Sequence, residues 1–224
     1  ILERLEPTAL LTAMSALVAL AIGIPAGVIA AVRRNSWVDQ VAMFLATLGV
    51  SIPGFWLGLN LILLLGVQFQ WLPVAGYASL AQKGLGALRY LVLPALSLGV
   101  IEAGLIARMT RSSMLEVMRH DYIRTARAKG LPERVVIFRH AFRSAAIPII
   151  TVIGNTIAVL MGGAIVIETV FNIPGLGRLV IQSVLRRDYP LIQGAVLFIA
   201  VTYVLINLVV DVAYVQADPR IRYS

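Results

Sequence analysis

The chain has 224 residues, of which 59% are hydrophobic and only 13% charged, with a formal charge of +8 and no cysteine. Soluble domains carry about 25% charged residues, so an ordinary soluble domain is excluded. Disulfides, thiolate chemistry and cysteine-ligated metals are excluded with it.

The apolar residues are collected into five uninterrupted windows, at residues 8–32, 41–67, 91–107, 145–167 and 191–210, which make up half the chain. A hydrocarbon core of about 30 Å needs about 20 helical residues. Inside it every backbone group must be satisfied internally, by a helix or a closed barrel. Barrel strands are about 10 residues long and alternate apolar with polar positions. Runs such as Leu61-Ile62-Leu63-Leu64-Leu65 do not alternate, so the expected fold is an all-α polytopic bundle, a single membrane domain over residues 1–224.

The first window ends at Arg33-Arg34. The second holds Pro53 near its centre, where a missing N–H and a clash with the preceding turn predict a kink or break. Broken spans in transporters often line the solute path, which makes Pro53 and the neighbouring Phe55 pathway candidates. The third window contains Glu102, the single ionisable residue within any window. An intramembrane acid is costly enough to need a reason, and pairing with an arginine from a neighbouring loop is the expected one.

Next comes a basic stretch, residues 108–144, with nine of the nineteen Lys and Arg residues. Met114, Leu115, Met118, Tyr122, Ile123 and Ala126 recur at helical spacing. Gly130 suits a left-handed helix end, and Pro132-Glu133 suits a new first turn. The stretch therefore reads as helix, tight glycine turn, helix: a rigid basic knob outside the membrane. Residues 168–190 form an amphipathic loop at the opposite face, with Leu176, Leu179, Val180 and Val184 on one side. Asn155 and Asn207 are candidates for hydrogen bonding between helices.

With five spans, the side carrying residues 33–34, 108–144 and the tail pair Arg220 and Arg222 holds most of the basic charge. By the positive-inside rule it is cytoplasmic. The start of the chain is then expected outside and its C-terminus in the cytoplasm, with a further span expected upstream. The basicity is thereby explained by topology, and nucleic acid is not an expected partner, since that reading wants a basic soluble face with stacking aromatics. Phosphate-loop, His-Glu-x-x-His and Gly-x-Ser-x-Gly signatures are missing. His120 and His140 have no ligand-like neighbours, so neither catalytic nor metal residues are assigned and no cofactor is expected on this chain.

The order of residues in the knob is more specific than its charge. Asp121-Tyr122, then Thr125-Ala126-Arg127-Ala128-Lys129-Gly130-Leu131, and Arg139-His140-Ala141 resemble the coupling loop of ABC importer permeases of the dipeptide, oligopeptide, nickel, opine and glutathione branch. Ser51-Ile52-Pro53-Gly54-Phe55-Trp56, Trp71-Leu72-Pro73, Leu93-Pro94-Ala95-Leu96, Glu168-Thr169-Val170-Phe171-Asn172-Ile173-Pro174-Gly175 and Asp218-Pro219-Arg220 are similar to segments of the same branch. The resemblance implies a type I importer permease of the bacterial inner membrane with six spans in the full subunit. It implies coupling to ATPases through Arg124, Thr125, Ala126, Arg127, Ala128, Lys129, Gly130, Leu131 and His140; Pro53, Phe55, Asn155, Glu168 and Phe171 are the pathway or gate candidates. It also implies a second homologous permease, two ABC ATPase subunits that bind ATP and Mg, and an external substrate-binding protein. A stand-alone channel or secondary transporter is the alternative.

Overall fold

The computed structural model describes residues 2–217, and among them secondary structure is helical throughout. Helix α1 is Leu2–Val32. A turn with Asn35 at φ 62 leads to α2, Trp37–Ser51, whose first turn is capped by the Ser36 hydroxyl. The chain then breaks: Ile52 and Pro53 are extended, and α3, Gly54–Leu61, leaves at 99° to α2 before widening into a π-helical stretch, Ile62–Gln68. The break at Pro53 is the one expected from the missing donor.

A short α4, Leu80–Lys83, and a 3₁₀ stretch, Gly84–Tyr90, lead into α5, Val92–Val117. Helix α6 is Asp121–Ala128, and α7, Glu133–Val135, continues as a π-helical stretch Val136–Phe142 into α8, Arg143–Val170. Helix α9, Leu176–Arg186, and α10, Tyr189–Ala217, complete the described residues. Among the described residues four helices are long and apolar enough to cross a membrane, and the bent α2–α3 pair brings the number to five. Arg220, Arg222 and the Asp218-Pro219-Arg220 segment lie outside the described residues.

Three boundaries differ from expectation. The third window continues ten residues further, to Val117, so Arg108 and Arg111 belong to the helix and Glu102 sits near its middle. The knob helix does not run on from the span: the backbone opens at His120 (ψ 147), and Asp121 starts a separate α6 with its carboxylate in the first turn, where it complements the helix dipole. Glu168 lies in the last turn of α8 and not in the loop beyond it.

Small residues let the spans approach backbone to backbone. A side-chain carbon on Gly99 of α5 would lie 2.7 Å from the Ser15 carbonyl of α1, and one on Gly23 of α1 only 2.8 Å from the Ala103 carbonyl. Gly27, one turn on, meets Ala107 and Thr110 in the same way. Both numberings rise together, so α1 and α5 run parallel along a seam of the small-x-x-x-small kind, stabilised by dispersion contacts that lipid cannot match. Helix α2 crosses α5 antiparallel, with Gly104 on the Ala46 carbonyl and Gly49 on Val100.

The bundle has two ends. At one, Leu11, Leu91, Leu93, Leu160, Ile167, Phe171 and Ile173 form a buried cluster. At the other, Val28, Ala31, Met114, Ala145 and Ile149 pack with Ile123 and Ala126 of α6 and Val136, Ile137 and Ala141 of the π stretch. Helix α10 packs on α8 and α9 and leaves its outer face open, with Leu197 and Val204 each more than 60% exposed.

Candidate coupling knob and pathway face

The knob is built on α6. Ile123 is fully buried and Ala126 nearly so, one turn apart, and they pack α6 against the π stretch, inside the cluster to which α1, α5 and α8 also contribute. The opposite face is open: Asp121, Tyr122, Arg124, Thr125, Arg127, Ala128, Lys129, Gly130 and Leu131 are exposed. Gly130 adopts φ 76, a left-handed conformation costly for residues with a side-chain carbon. Its N–H donates to the Arg127 carbonyl at 2.9 Å, and that of Leu131 to the Ala126 carbonyl at 3.3 Å. Arg127 reaches over the turn to Glu133, with Nη2–Oε1 2.7 Å. Phe138, 62% exposed, adds an apolar side chain to the same end.

Of the coupling candidates, Arg124, Thr125, Arg127, Ala128, Lys129, Gly130 and Leu131 thus share one exposed surface. Ala126 is directed inward and holds the knob in place, and His140 is half-buried in the π stretch. The π stretch was not foreseen: its wider turn has no signature in apolar periodicity.

The pathway candidates separate into two groups. Pro53 and Phe55 lie exposed at the break, and Asn155 lies on an exposed stripe of α8 with Thr151 and Val159. Glu168 and Phe171 are buried. The Glu168 carboxylate accepts the Thr8 hydroxyl at 2.5 Å and the Arg178 N–H at 2.9 Å, while the Thr8 oxygen accepts the Leu176 N–H at 2.8 Å. Glu168 therefore caps α9 and ties it to α1 and α8. A side-chain carbon on Gly175 would collide with that carboxylate. The Phe171 carbonyl accepts the Gly76 N–H at 2.9 Å, and the Phe171 ring closes on Gly58 of α3.

Glu102 departs from expectation. Its carboxylate accepts the Thr156 hydroxyl of α8 at 3.2 Å, and among the described residues it has no arginine partner. A hydroxyl within the bundle is nearer than any loop guanidinium once the helix extends to Val117. The carboxylate–arginine pair that sequence reasoning missed joins Asp39 to Arg111, 2.6 Å between Nε and Oδ1. Nothing local in the sequence connects Asp39 to α5, 72 residues away. Among the described residues no three of His, Asp and Glu come together as metal ligands.

An all-helical bundle with five membrane-crossing segments, one broken, and a projecting basic knob defines a polytopic membrane transport subunit. The chain belongs to the family of binding-protein-dependent transport system inner membrane components, whose family model matches residues 23–223. It is 48% identical over 224 residues to a Brucella abortus (strain 2308) protein named for a peptide transport system permease, covering all of this chain and 71% of that one. It is 46% identical to the glutathione transport system permease protein GsiC of Escherichia coli (strain K12), with the same coverage. The fold matches a chain of the MetNI methionine ABC transporter in an inward-facing conformation, with TM-score 0.79 and 20% identity, covering 97% of this chain and 96% of that one. A chain of an amino acid ABC transporter solved with histidines matches with TM-score 0.64, 20% identity and coverage of 96% and 92%. The protein is the membrane-spanning permease subunit of an ABC importer.

Proposed function

We propose that this permease carries peptides or closely related small solutes, glutathione among them, and that its 121–131 knob is the element through which ATPase subunits drive it. The names of its relatives support the solute class. The single observation behind the coupling role is the two-faced knob. Ile123 and Ala126 bury one face of it in the cluster that the π stretch shares with α1, α5 and α8, while Tyr122, Thr125, Ala128 and Leu131 are presented outward on a turn locked by Gly130. Such an element is held firmly enough to transmit force and exposed enough to be gripped.

On this reading the knob end is cytoplasmic, in agreement with the excess of basic residues, and the start of the chain lies outside. The bacterial inner membrane is the location. Two ATPase subunits supply ATP and Mg, a second, homologous permease completes the pathway, and an external binding protein delivers solute. Pro53, Phe55 and Asn155, exposed on apolar helices, line the solute path. Glu168 and Phe171 gate it indirectly, by holding the α9 segment at its outer end.

The test is performed on the assembled importer in proteoliposomes, with Ala128→Trp and Gly130→Val in the knob. Uptake and solute-stimulated ATP hydrolysis should both collapse while the complex still assembles. Normal uptake with full stimulation in both variants removes the coupling assignment.

A further inference from the structure

At the end opposite the knob, residues 69–91 form an open cavity of about 510 Å³ lined by Gln70, Trp71, Lys83, Gly86 and Arg89, all exposed, with Leu72, Pro73 and Tyr90 half-buried behind them. One wall is aromatic and turned by strain: Gln70 adopts φ 52, and Trp71 stacks on Phe69 with ring centroids 5.0 Å apart. The other wall is the 3₁₀ stretch. Gly86 and Arg89 are three residues apart, so they lie above one another on the same edge, and Lys83 reaches in from beyond the Gly84 turn (φ 54).

Both cations are positioned by neutral groups. The Lys83 ammonium donates to the Tyr90 hydroxyl at 2.9 Å and lies 4.9 Å from that ring's centroid. The Arg89 Nη2 donates to the Trp71 carbonyl at 3.4 Å. Among the described residues neither enters an ion pair, and no Asp or Glu occurs anywhere in residues 69–91. On α1, Glu6 accepts the Leu80 N–H at 2.9 Å. Two of three ammonium protons and most of the guanidinium fork are left without a partner. Gly86 lines the same cavity at a point where an added side-chain carbon meets nothing within 4 Å.

We infer that this cavity is a receiving site for a carboxylate, held between the Lys83 ammonium and the Arg89 guanidinium over the gap left by Gly86. Charge-assisted hydrogen bonds from a fork and a point cation suit that group, and the Trp71 and Tyr90 rings give the attached carbon chain an apolar wall. The inference rests on the importer reading, which supplies two sources of the same chemistry: the carboxylate of the solute itself, or an acidic side chain of the binding protein that delivers it.

The experiment uses the complete importer in nanodiscs and proteoliposomes with its binding protein, and takes a dipeptide and its C-terminal amide as probes. Lys83→Gln with Arg89→Gln removes the charges. Gly86→Val fills the cavity while leaving both cations in place, at a position with room for the added carbon. Each change should raise the KM for uptake about tenfold, the scale of one lost charge-assisted hydrogen bond. If the solute brings the carboxylate, only the free-acid dipeptide suffers. If the binding protein brings it, both probes suffer alike and the loaded binding protein docks about tenfold more weakly. Unchanged KM and unchanged docking in both variants overturn the site. A defect that vanishes when anionic lipid is replaced by neutral lipid also overturns it, by showing that a headgroup phosphate was the ligand. The parent importer measured alongside reads the assignment on which the site depends: no ATP-dependent uptake of either probe by the parent overturns that assignment and the site with it.

Discussion

Asp39 and Arg111 face each other as a two-pronged ion pair, Nε to Oδ1 at 2.6 Å and Nη2 to Oδ2 at 2.7 Å, across 72 residues of sequence. The second carboxylate oxygen also accepts the Asn35 N–H at 2.9 Å, so one acid fixes the α1–α2 turn, the start of α2 and the end of α5 together.

Breaking this pair from one side should be far worse than removing it altogether. Asp39 is buried, and stranding a buried partner costs about 3–5 kcal/mol, whereas exchanging both for apolar residues can be neutral. Thermal unfolding of the detergent-solubilised importer should show Asp39→Asn and Arg111→Gln each strongly destabilised, and Asp39→Leu with Arg111→Met substantially recovered. Equal loss in all three would contradict the pairing.

The capping carboxylate at the other end predicts a steric lesion of unusual sharpness. Gly175→Ala adds one methyl, yet the Glu168 carboxylate already occupies that space. Overpacking of this kind costs about 1–3 kcal/mol, and relieving it means expelling Glu168 from the α9 N-terminus. Limited proteolysis of the importer should cut the 172–188 segment faster in Gly175→Ala and in Glu168→Ala than in the parent.

Along the parallel seam, Gly27→Leu should prevent α1 from closing on Ala107 and Thr110. The two backbones are in contact there, so no rotamer change accommodates the side chain. Recovery of folded permease from membranes should fall severalfold, while Leu17→Ala, at a position 68% exposed, should leave it unaltered.

In the knob, magnitude decides between two candidate restraints on the turn. The Arg127 and Glu133 side chains are 40% and 52% exposed, and such surface pairs contribute about 0–1 kcal/mol. Glu133→Gln should therefore leave stimulated ATP hydrolysis near the parent level. Gly130→Ala must hold a left-handed backbone at about 1–2 kcal/mol, and a measurable drop in that stimulation is expected.

The spans were legible because a hydrocarbon solvent imposes length and charge exclusion directly on composition, and Pro53 announced its break through one missing hydrogen. The left-handed Gly130 was visible for the same local reason. What stayed hidden was non-local. Glu102 finds Thr156 only when α5 packs on α8, and Asp39 finds Arg111 only because helical hydrogen bonding continues through Arg108 and Arg111 where hydropathy has already ended. The inward direction of Ala126, within a motif whose neighbours face out, follows from its spacing with Ile123 and could have been read there. The burial of Glu168 could not, since its partner Thr8 lies 160 residues away in the sequence.

The parallel contact of α1 with α5 has a mechanical consequence. Backbone meets backbone at Gly99, Gly23 and Gly27, so no layer of soft side chains separates the two helices at any of the three levels. Ile123 and Ala126 are buried in the cluster at the shared end of this pair. The two helices are therefore constrained to move as one strut, whereas α2–α3 beside them is interrupted at Ile52 and Pro53.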